Sequence, residues 1–183
     1  MKTQVIYHSL SGCTEKLARG IFEGLKCEEK SLHNLADGTP EIDGDVILLG
    51  YWVDQAGPCK PIRELAETLE NRHVGLFCTM AFWCESSHAA TALHNGAACV
   101  QEKNTVIGGI VVNGHMSDKM IEMFRGMGAG PHSASPAAEA RWALMKDHPS
   151  ECEIALATER MNERIQLLKT LQEKGIAFPS ITI

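Results

Sequence analysis

The 183-residue sequence is poor in aromatic residues, which make up 5% of it. It also lacks an excess of basic charge: 17 Lys and Arg stand against 23 Asp and Glu, a formal net charge of -6. That balance argues against nucleic acid or an anionic membrane surface as the main partner. No apolar run reaches the ~18 residues that a membrane helix needs. The seven cysteines (Cys13, Cys27, Cys59, Cys78, Cys84, Cys99 and Cys152) are odd in number and contain no Cys-x-x-Cys pair. With no signal-peptide pattern ahead of them, they predict a reduced, cytoplasmic chain without a disulfide framework. No Cys/His cluster has zinc spacing, and His88 and His94 do not share a helical face, so the histidines predict no metal site.

What is present is the pattern of one α/β domain. Hydrophobic residues are 44% and charged residues 22%, ordinary for a globular chain of this length. Apolar runs over residues 3–8, 45–51, 73–78 and 105–112 read as buried strands. Residues 26–32 read as a shorter, less apolar strand near an edge. Helical stripes cover residues 13–25, 61–71 and 86–102, while residues 33–44 hold at most one helical turn. Strand and helix in alternation predict a five-stranded parallel sheet with helices on both faces.

After the fifth strand the sequence predicts helices over residues 117–125, 137–147 and 151–174, with Gly175 ending the last. A Gly-, Ser- and Pro-rich loop over residues 126–136 separates the first two. Trp142 and the spaced Met116, Met120, Met123 and Met127 mark helix packing. The tail, residues 176–183, is apolar and β-prone, suited to packing on the body or on a partner copy in a homodimer. No internal repeat or second-domain boundary is visible.

Three stretches that follow strands carry the chemistry. In Ser9-Leu-Ser-Gly-Cys-Thr14 an apolar strand ends in hydroxyls and a glycine, and a helix begins at once. Free N–H groups and the positive end of the helix dipole suit that turn to a phosphate; Ser9, Ser11 and Thr14 add hydroxyls and Gly12 lets the backbone come close. The same residues would also serve as an ordinary helix cap. The stretch Trp52-Val-Asp-Gln-Ala-Gly57 and the stretch Thr79-Met-Ala-Phe-Trp-Cys84 read as loops that bring Trp52, Phe82 and Trp83, with Tyr51 beside them. In the sheet order 2-1-3-4-5 all three fall at the carboxyl ends of neighbouring strands, at the topological switch point where such folds bind ligands.

These stretches, together with Gly50-Tyr-Trp-Val-Asp-Gln55 and Leu76-Phe-Cys-Thr-Met-Ala-Phe-Trp-Cys-Glu-Ser-Ser-His-Ala89, resemble the flavodoxin family over nearly the whole chain. The resemblance implies a flavodoxin-like three-layer α/β/α sandwich of order 2-1-3-4-5, with residues 1–113 as flavin-binding core and residues 114–183 as additional helices and tail. It implies FMN as cofactor: Ser9, Leu10, Ser11, Gly12, Cys13 and Thr14 on the phosphate, Trp52, Val53, Asp54, Gln55, Ala56 and Gly57 on one side of the ring, Thr79, Met80, Ala81, Phe82, Trp83 and Cys84 on the other. It further implies electron transfer between a donating reductase and an acceptor enzyme, with Asp54 disfavouring an anionic reduced flavin and Gly57 allowing the loop to move. Related proteins carry a glycine and a Tyr-Pro pair where this chain has Ala81 and Trp83-Cys84.

Three functions stay open: an electron carrier, an FMN-dependent NAD(P)H:quinone or flavin reductase, and a flavin-less binding module. The lack of a second Gly-rich dinucleotide fingerprint favours the carrier. The Cys13-x5-Arg19 spacing is similar to the loop of low-molecular-weight tyrosine phosphatases, but there the cysteine follows the strand directly, and here residues 15–18 read as helix. Cys59 and Cys84 border the proposed flavin loops and read as packing residues rather than redox groups.

Overall fold

A computed structural model of the chain describes residues 1–128, 133–181 and 183. Five parallel strands form the sheet in the order β2-β1-β3-β5-β6: β1 (Thr3–Tyr7), β2 (Lys30–Asn34), β3 (Val46–Asp54), β5 (His73–Met80) and β6 (Thr105–Asn113). β4 (Gly57–Pro58) is a short return that pairs antiparallel with the end of β3. The expected strand order 2-1-3-4-5 is this one, with the return counted separately. Among the described residues the strands are accompanied by a 3-10 turn at Leu35–Asp37 and by the α-helices α1 (Cys13–Gly24), α2 (Lys60–Ala66), α3 (Ser87–Ala98), α4 (Asp118–Gly126), α5 (Pro136–Leu144) and α6 (Glu151–Glu173).

Alternation along the strands divides the core into two. Val5, Tyr7, Val46, Leu48, Phe77 and Ile107 point to one face, where α1 adds Leu17 and Ile21 and α6 adds Ile154, Met161, Ile165 and Leu168. Their neighbours Ile6, Ile47, Leu49, Tyr51, Val74, Leu76 and Val106 point to the other, where α2 adds Ile62 and Leu65 and α3 adds Ala97. Each fully buried aliphatic side chain contributes about 1.5–3 kcal/mol. Strand β3 is fully buried through Tyr51 because both its faces are covered, which is why it reads as an unbroken apolar run. β2 is only half-buried at the sheet's edge, in keeping with its weaker apolar pattern.

Helices α1 and α6 approach closely because glycines face the contact. A Cβ at Gly20 would stand 2.2 Å from Ile154 Cγ2, and one at Gly24 2.5 Å from Thr158 Cγ2. Asn162 bridges the same seam, its Nδ2 donating to Gly24 C=O at 2.9 Å and its Oδ1 accepting from Lys26 N–H at 2.8 Å. α6 begins in a capping box, with Ser150 and Glu153 satisfying each other's backbone N–H groups. Together α1 and α6 cover this face of the sheet.

The tail lies along the exposed edge of β6. Ile181 N–H donates to Val106 C=O at 2.9 Å, Val106 N–H donates to Ser180 Oγ at 3.2 Å, and Phe178 is buried. It therefore packs on the body and blunts an open sheet edge.

Several boundaries differ from the sequence pattern: β2 spans Lys30–Asn34 rather than residues 26–32, and α5 ends at Leu144 rather than at residue 147. Residues 52–54 belong to β3, and residues 57–58 pair back, so the expected loop over residues 52–59 is a tight hairpin. Thr79 and Met80 are the buried end of β5, so the third loop starts at Ala81. α2 stops at Ala66 and α3 at Ala98, each about one turn short of the apolar pattern. The loop expected over residues 126–136 includes residues 129–132, which lie outside the described residues.

Candidate functional site

At the carboxyl edge of the sheet, β1 runs into His8 and the turn that opens α1. Gly12 occupies the N-cap with φ 89°, a left-handed conformation that suits glycine, and no side chain caps the helix. Lys16 N–H is the first to close back onto the turn, donating to Gly12 C=O at 2.9 Å. The N–H groups of Cys13, Thr14 and Glu15 precede it and have no intrahelical acceptor. Ser9 Oγ accepts from Gly12 N–H at 3.1 Å and tightens the turn. The result is a positive helix end at the switch point between β1 and β3 with N–H groups free for an anion.

The turn's side chains are arranged unevenly. Leu10 is 55% exposed, whereas Thr14 is fully buried. Thr14 Oγ1 is hydrogen-bonded to Thr79 Oγ1 at 2.9 Å, which ties the turn to the end of β5. Ser11 Oγ donates to His115 C=O at 3.3 Å. Cys13 Sγ accepts from His115 N–H at 3.2 Å and lies 3.2 Å from His115 Nδ1. Gly114 permits this approach: a Cβ there would stand 3.2 Å from the Cβ atoms of both Cys13 and Thr79.

The second stretch reaches the same place. Trp52 is half-buried, pairs with Thr79 in the β3–β5 register, and donates its indole N–H to His8 Nδ1 at 3.3 Å. Beyond it the hairpin turns at Gln55 and Ala56, both with positive φ (48° and 61°), the backbone of a type I′ turn. Gly57 sits in the return opposite Asp54, so the left-handed residues are its two predecessors. Asn95 of α3 holds the tip, donating to Ala56 C=O at 2.7 Å. Val53 and Asp54 are half-buried, and Gln55 is exposed.

In the third stretch, Met80 C=O accepts from Gly114 N–H at 2.8 Å, and Cys84 N–H donates to Asn113 Oδ1 at 3.1 Å. Ala81 and Phe82 are half-buried and Trp83 is 42% exposed. The Arg141 guanidinium lies 5.0 Å from the Phe82 ring centroid, so α5 packs beside this loop. α5 is joined to α4 by Phe124 stacked on Trp142 and by Arg125 bonded to Glu139.

Burial pushes the Cys59 thiol up to about 11. Burial, with the Glu85 carboxylate beside it, does the same to Cys84, also to about 11. Both thiols are protonated at neutral pH and serve as packing groups. Glu153 is held below the usual carboxylate range. Burial pulls it upward, but the N–H of Ser150, the His148 imidazole and the N–H of Asn113 together outweigh that effect. A groove of about 910 Å³ lies along the α1–α6 seam, lined by Gly20, Gly24, Ile154, Thr158 and Asn162 among others and by none of the residues of the three stretches. Among the described residues no group of three His, Cys, Asp or Glu side chains is placed to hold a metal ion, and no helix is long and apolar enough to cross a membrane.

Three of the residues that organise the site escaped the sequence pattern. His8 and His115 each lie just past a strand that ends at this edge, and that position is the signal that could have found them. Arg141 had no such signal, since only the packing of α5 brings it to Phe82.

A doubly wound parallel sheet with an uncapped helix start at its switch point and an aromatic hairpin beside it is the geometry in which such folds bind ligands at the carboxyl ends of their strands. The model of the flavodoxin domain matches residues 4–162, and the chain belongs to that family. A flavodoxin-like domain-containing protein, BilS, of Clostridioides difficile is 28% identical over 130 residues, which span 69% of this chain and 74% of that one. Among solved structures, Fusobacterium nucleatum flavodoxin bound to flavin mononucleotide superposes with a TM-score of 0.53 at 17% identity, covering 93% of this chain and 98% of that one. A mutant of a Fusobacterium nucleatum flavodoxin, also bound to flavin mononucleotide, gives 0.50 at 16% identity, with 92% and 95% covered. At these identities the superpositions establish the fold.

Proposed function

We propose that this protein binds FMN at the carboxyl edge of its sheet and carries electrons between a donating reductase and an acceptor enzyme. The observation that carries this reading is the convergence of the three stretches. Thr14 is bonded to Thr79 and Trp52 to His8, so the phosphate turn is tied to the end of β5 and the hairpin to the end of β1. The donor set fits a flavin phosphate, with N–H groups at an uncapped helix start and the Ser9 hydroxyl beside them. The half-buried Trp52 and Phe82 and the exposed Trp83 offer aromatic surface for a planar ring.

FMN supplies the redox chemistry, taking up and releasing electrons singly or in pairs. The protein's part is to bind and tune. The α1 N–H groups hold the phosphate, the hairpin and third loop exclude water from the ring, and Asp54 disfavours negative charge on the reduced flavin. All seven cysteines are free, which supports a reducing, cytoplasmic setting.

The test is a titration of the purified protein with FMN, followed by stepwise reduction. Quenched FMN fluorescence at a stoichiometry near one, with reduction in two separable stages and none by NADPH alone, is the expected result. Rapid bleaching by NADPH alone would replace the carrier with a reductase. A protein that stays colourless would make it a binding module without flavin.

A further inference from the structure

Trp52, one of the aromatic side chains at the ligand edge, is fastened by a residue of another element. His8, the first residue past β1, continues that strand's pairing, its N–H donating to Gly50 C=O at 3.0 Å. Its ring then meets two donors. The Trp52 indole N–H donates to His8 Nδ1 at 3.3 Å, and the Cys59 thiol lies 3.7 Å from the same nitrogen. An indole nitrogen only donates, so Nδ1 is an acceptor and the ring carries its hydrogen on Nε2. Cys59, the N-cap of α2, makes the same demand. Its thiol, pushed up to about 11 by burial, keeps its hydrogen and is a second donor facing Nδ1. Trp52 is held at its other end too, paired with Thr79 in the sheet and packed on the core beneath α2 and α3. The end of β1, the end of β3 and the start of α2 thus meet on one imidazole.

We propose that His8 is a positioning residue for the flavin ring: through its Nδ1 it fixes the Trp52 indole in place before the ligand arrives. The proposal rests on the reading of this edge as a flavin site, and His8 acts through Trp52 without touching the ligand. An unfastened tryptophan ring loses rotamer freedom when a ligand orders it, a cost that a ring already hydrogen-bonded does not carry. Ordering one such side chain corresponds to about a three- to tenfold change in affinity. The effect falls on the part of the site that takes the ring, so it is the same for FMN and for riboflavin. A replacement for His8 must present an acceptor where Nδ1 stands. Asparagine does, because its Oδ1 is bonded to Cγ as Nδ1 is in histidine, whereas alanine has no acceptor.

The experiment reads the fastening and its effect separately. Long-range nitrogen–proton NMR correlation of the histidine rings, in the flavin-free protein at about pH 8, gives the tautomer. The expected His8 signals place a hydrogen on Nε2 and none on Nδ1, and a hydrogen on Nδ1 would overturn the proposal. Flavin fluorescence then gives dissociation constants for FMN and riboflavin in the wild type, His8→Ala and His8→Asn, and in the same variants combined with Trp52→Phe. His8→Ala weakens both flavins by the same factor, about three- to tenfold. His8→Asn recovers most of that loss, and neither change has an effect once Trp52→Phe has removed the indole N–H. Constants in His8→Ala within about twofold of wild type would overturn the proposal. So would a loss confined to FMN, a loss that asparagine does not recover, or one that persists beside Trp52→Phe. Should His8→Ala fail to fold, the wild-type tautomer and the His8→Asn constants carry the decision. If the wild type quenches neither flavin, the flavin reading fails and the role of His8 at the ligand falls with it, while the tautomer still decides whether the indole is fastened.

Discussion

Replacing Glu153 with alanine probes how the start of α6 is fastened to the site. The carboxylate accepts from Ser150 N–H at 2.7 Å, from Asn113 N–H at 3.1 Å and contacts His148 Nδ1 at 2.5 Å. Hydrogen bonds to a charged group contribute about 1.5–3 kcal/mol each, but they share one acceptor and do not add fully. Its side chain is only 18% exposed, so water replaces these bonds poorly. A loss of about 3 kcal/mol follows, which for a chain of this size lowers Tm by about 6–12 °C.

The pH dependence has a definite sign. Glu153 is held below the ordinary carboxylate value, so its contribution is complete above about pH 4.3 and is lost as pH falls through the lowered folded value. Urea unfolding of wild type and Glu153→Ala at pH 7 and at pH 3 measures both effects. The gap between them should be near its full size at pH 7 and smaller at pH 3. A gap below about 1 kcal/mol at pH 7 would refute the bonding scheme. A gap that widens in acid would refute the direction of the shift.

Gly20→Ala should destabilise by about 1–2 kcal/mol: overpacking against Ile154 costs about 1–3 kcal/mol, and the better helix propensity of alanine returns up to about 1. Denaturant melts would show it, and a stabilised variant would mean that the α1–α6 seam is looser than described. In a native alkylation experiment followed by mass spectrometry, the exposed Cys152 should be modified first. Cys78, fully buried with its thiol pushed up to about 12, should react only after unfolding, and early labelling there would contradict the closed core. Asp54→Asn should raise the potential of the bound flavin by tens of millivolts, on the order expected for one nearby charge. Potentiometry that finds no change would remove Asp54 from that role.

Much of the fold was legible because its signals are local. The unbroken apolar run of β3 and the alternation of strand with helical stripe announce a parallel sheet, and each strand end then marks the ligand edge. The hairpin after β3 was not legible, because it depends on Gln55 and Ala56 adopting positive φ, where sequence patterns look for glycine or asparagine. It is held from elsewhere: Asn95, 39 residues beyond Ala56 in the helix after β5, donates to the Ala56 carbonyl. Gly57 pairs with Asp54 in the return strand. Composition around the turn contains none of this, since the constraint comes from another element.

The phosphate turn shows the same limit from the other direction. Its hydroxyls were visible as a cluster, and a cluster suggests that each faces the ligand. In the structure they divide the work. Thr14 fastens the turn to β5, Ser11 fastens it to the loop after β6, and Ser9 shapes the turn itself. All three hydroxyls therefore act on the protein, and the N–H groups of Cys13, Thr14 and Glu15 keep no intrahelical acceptor. A turn fixed by its own side chains gives a preorganised anion site, which saves the ordering cost at binding. It also depends more on its neighbours. Gly114, against both Cys13 and Thr79, becomes as necessary to the turn as Gly12, although it lies a hundred residues away and carries no recognisable motif.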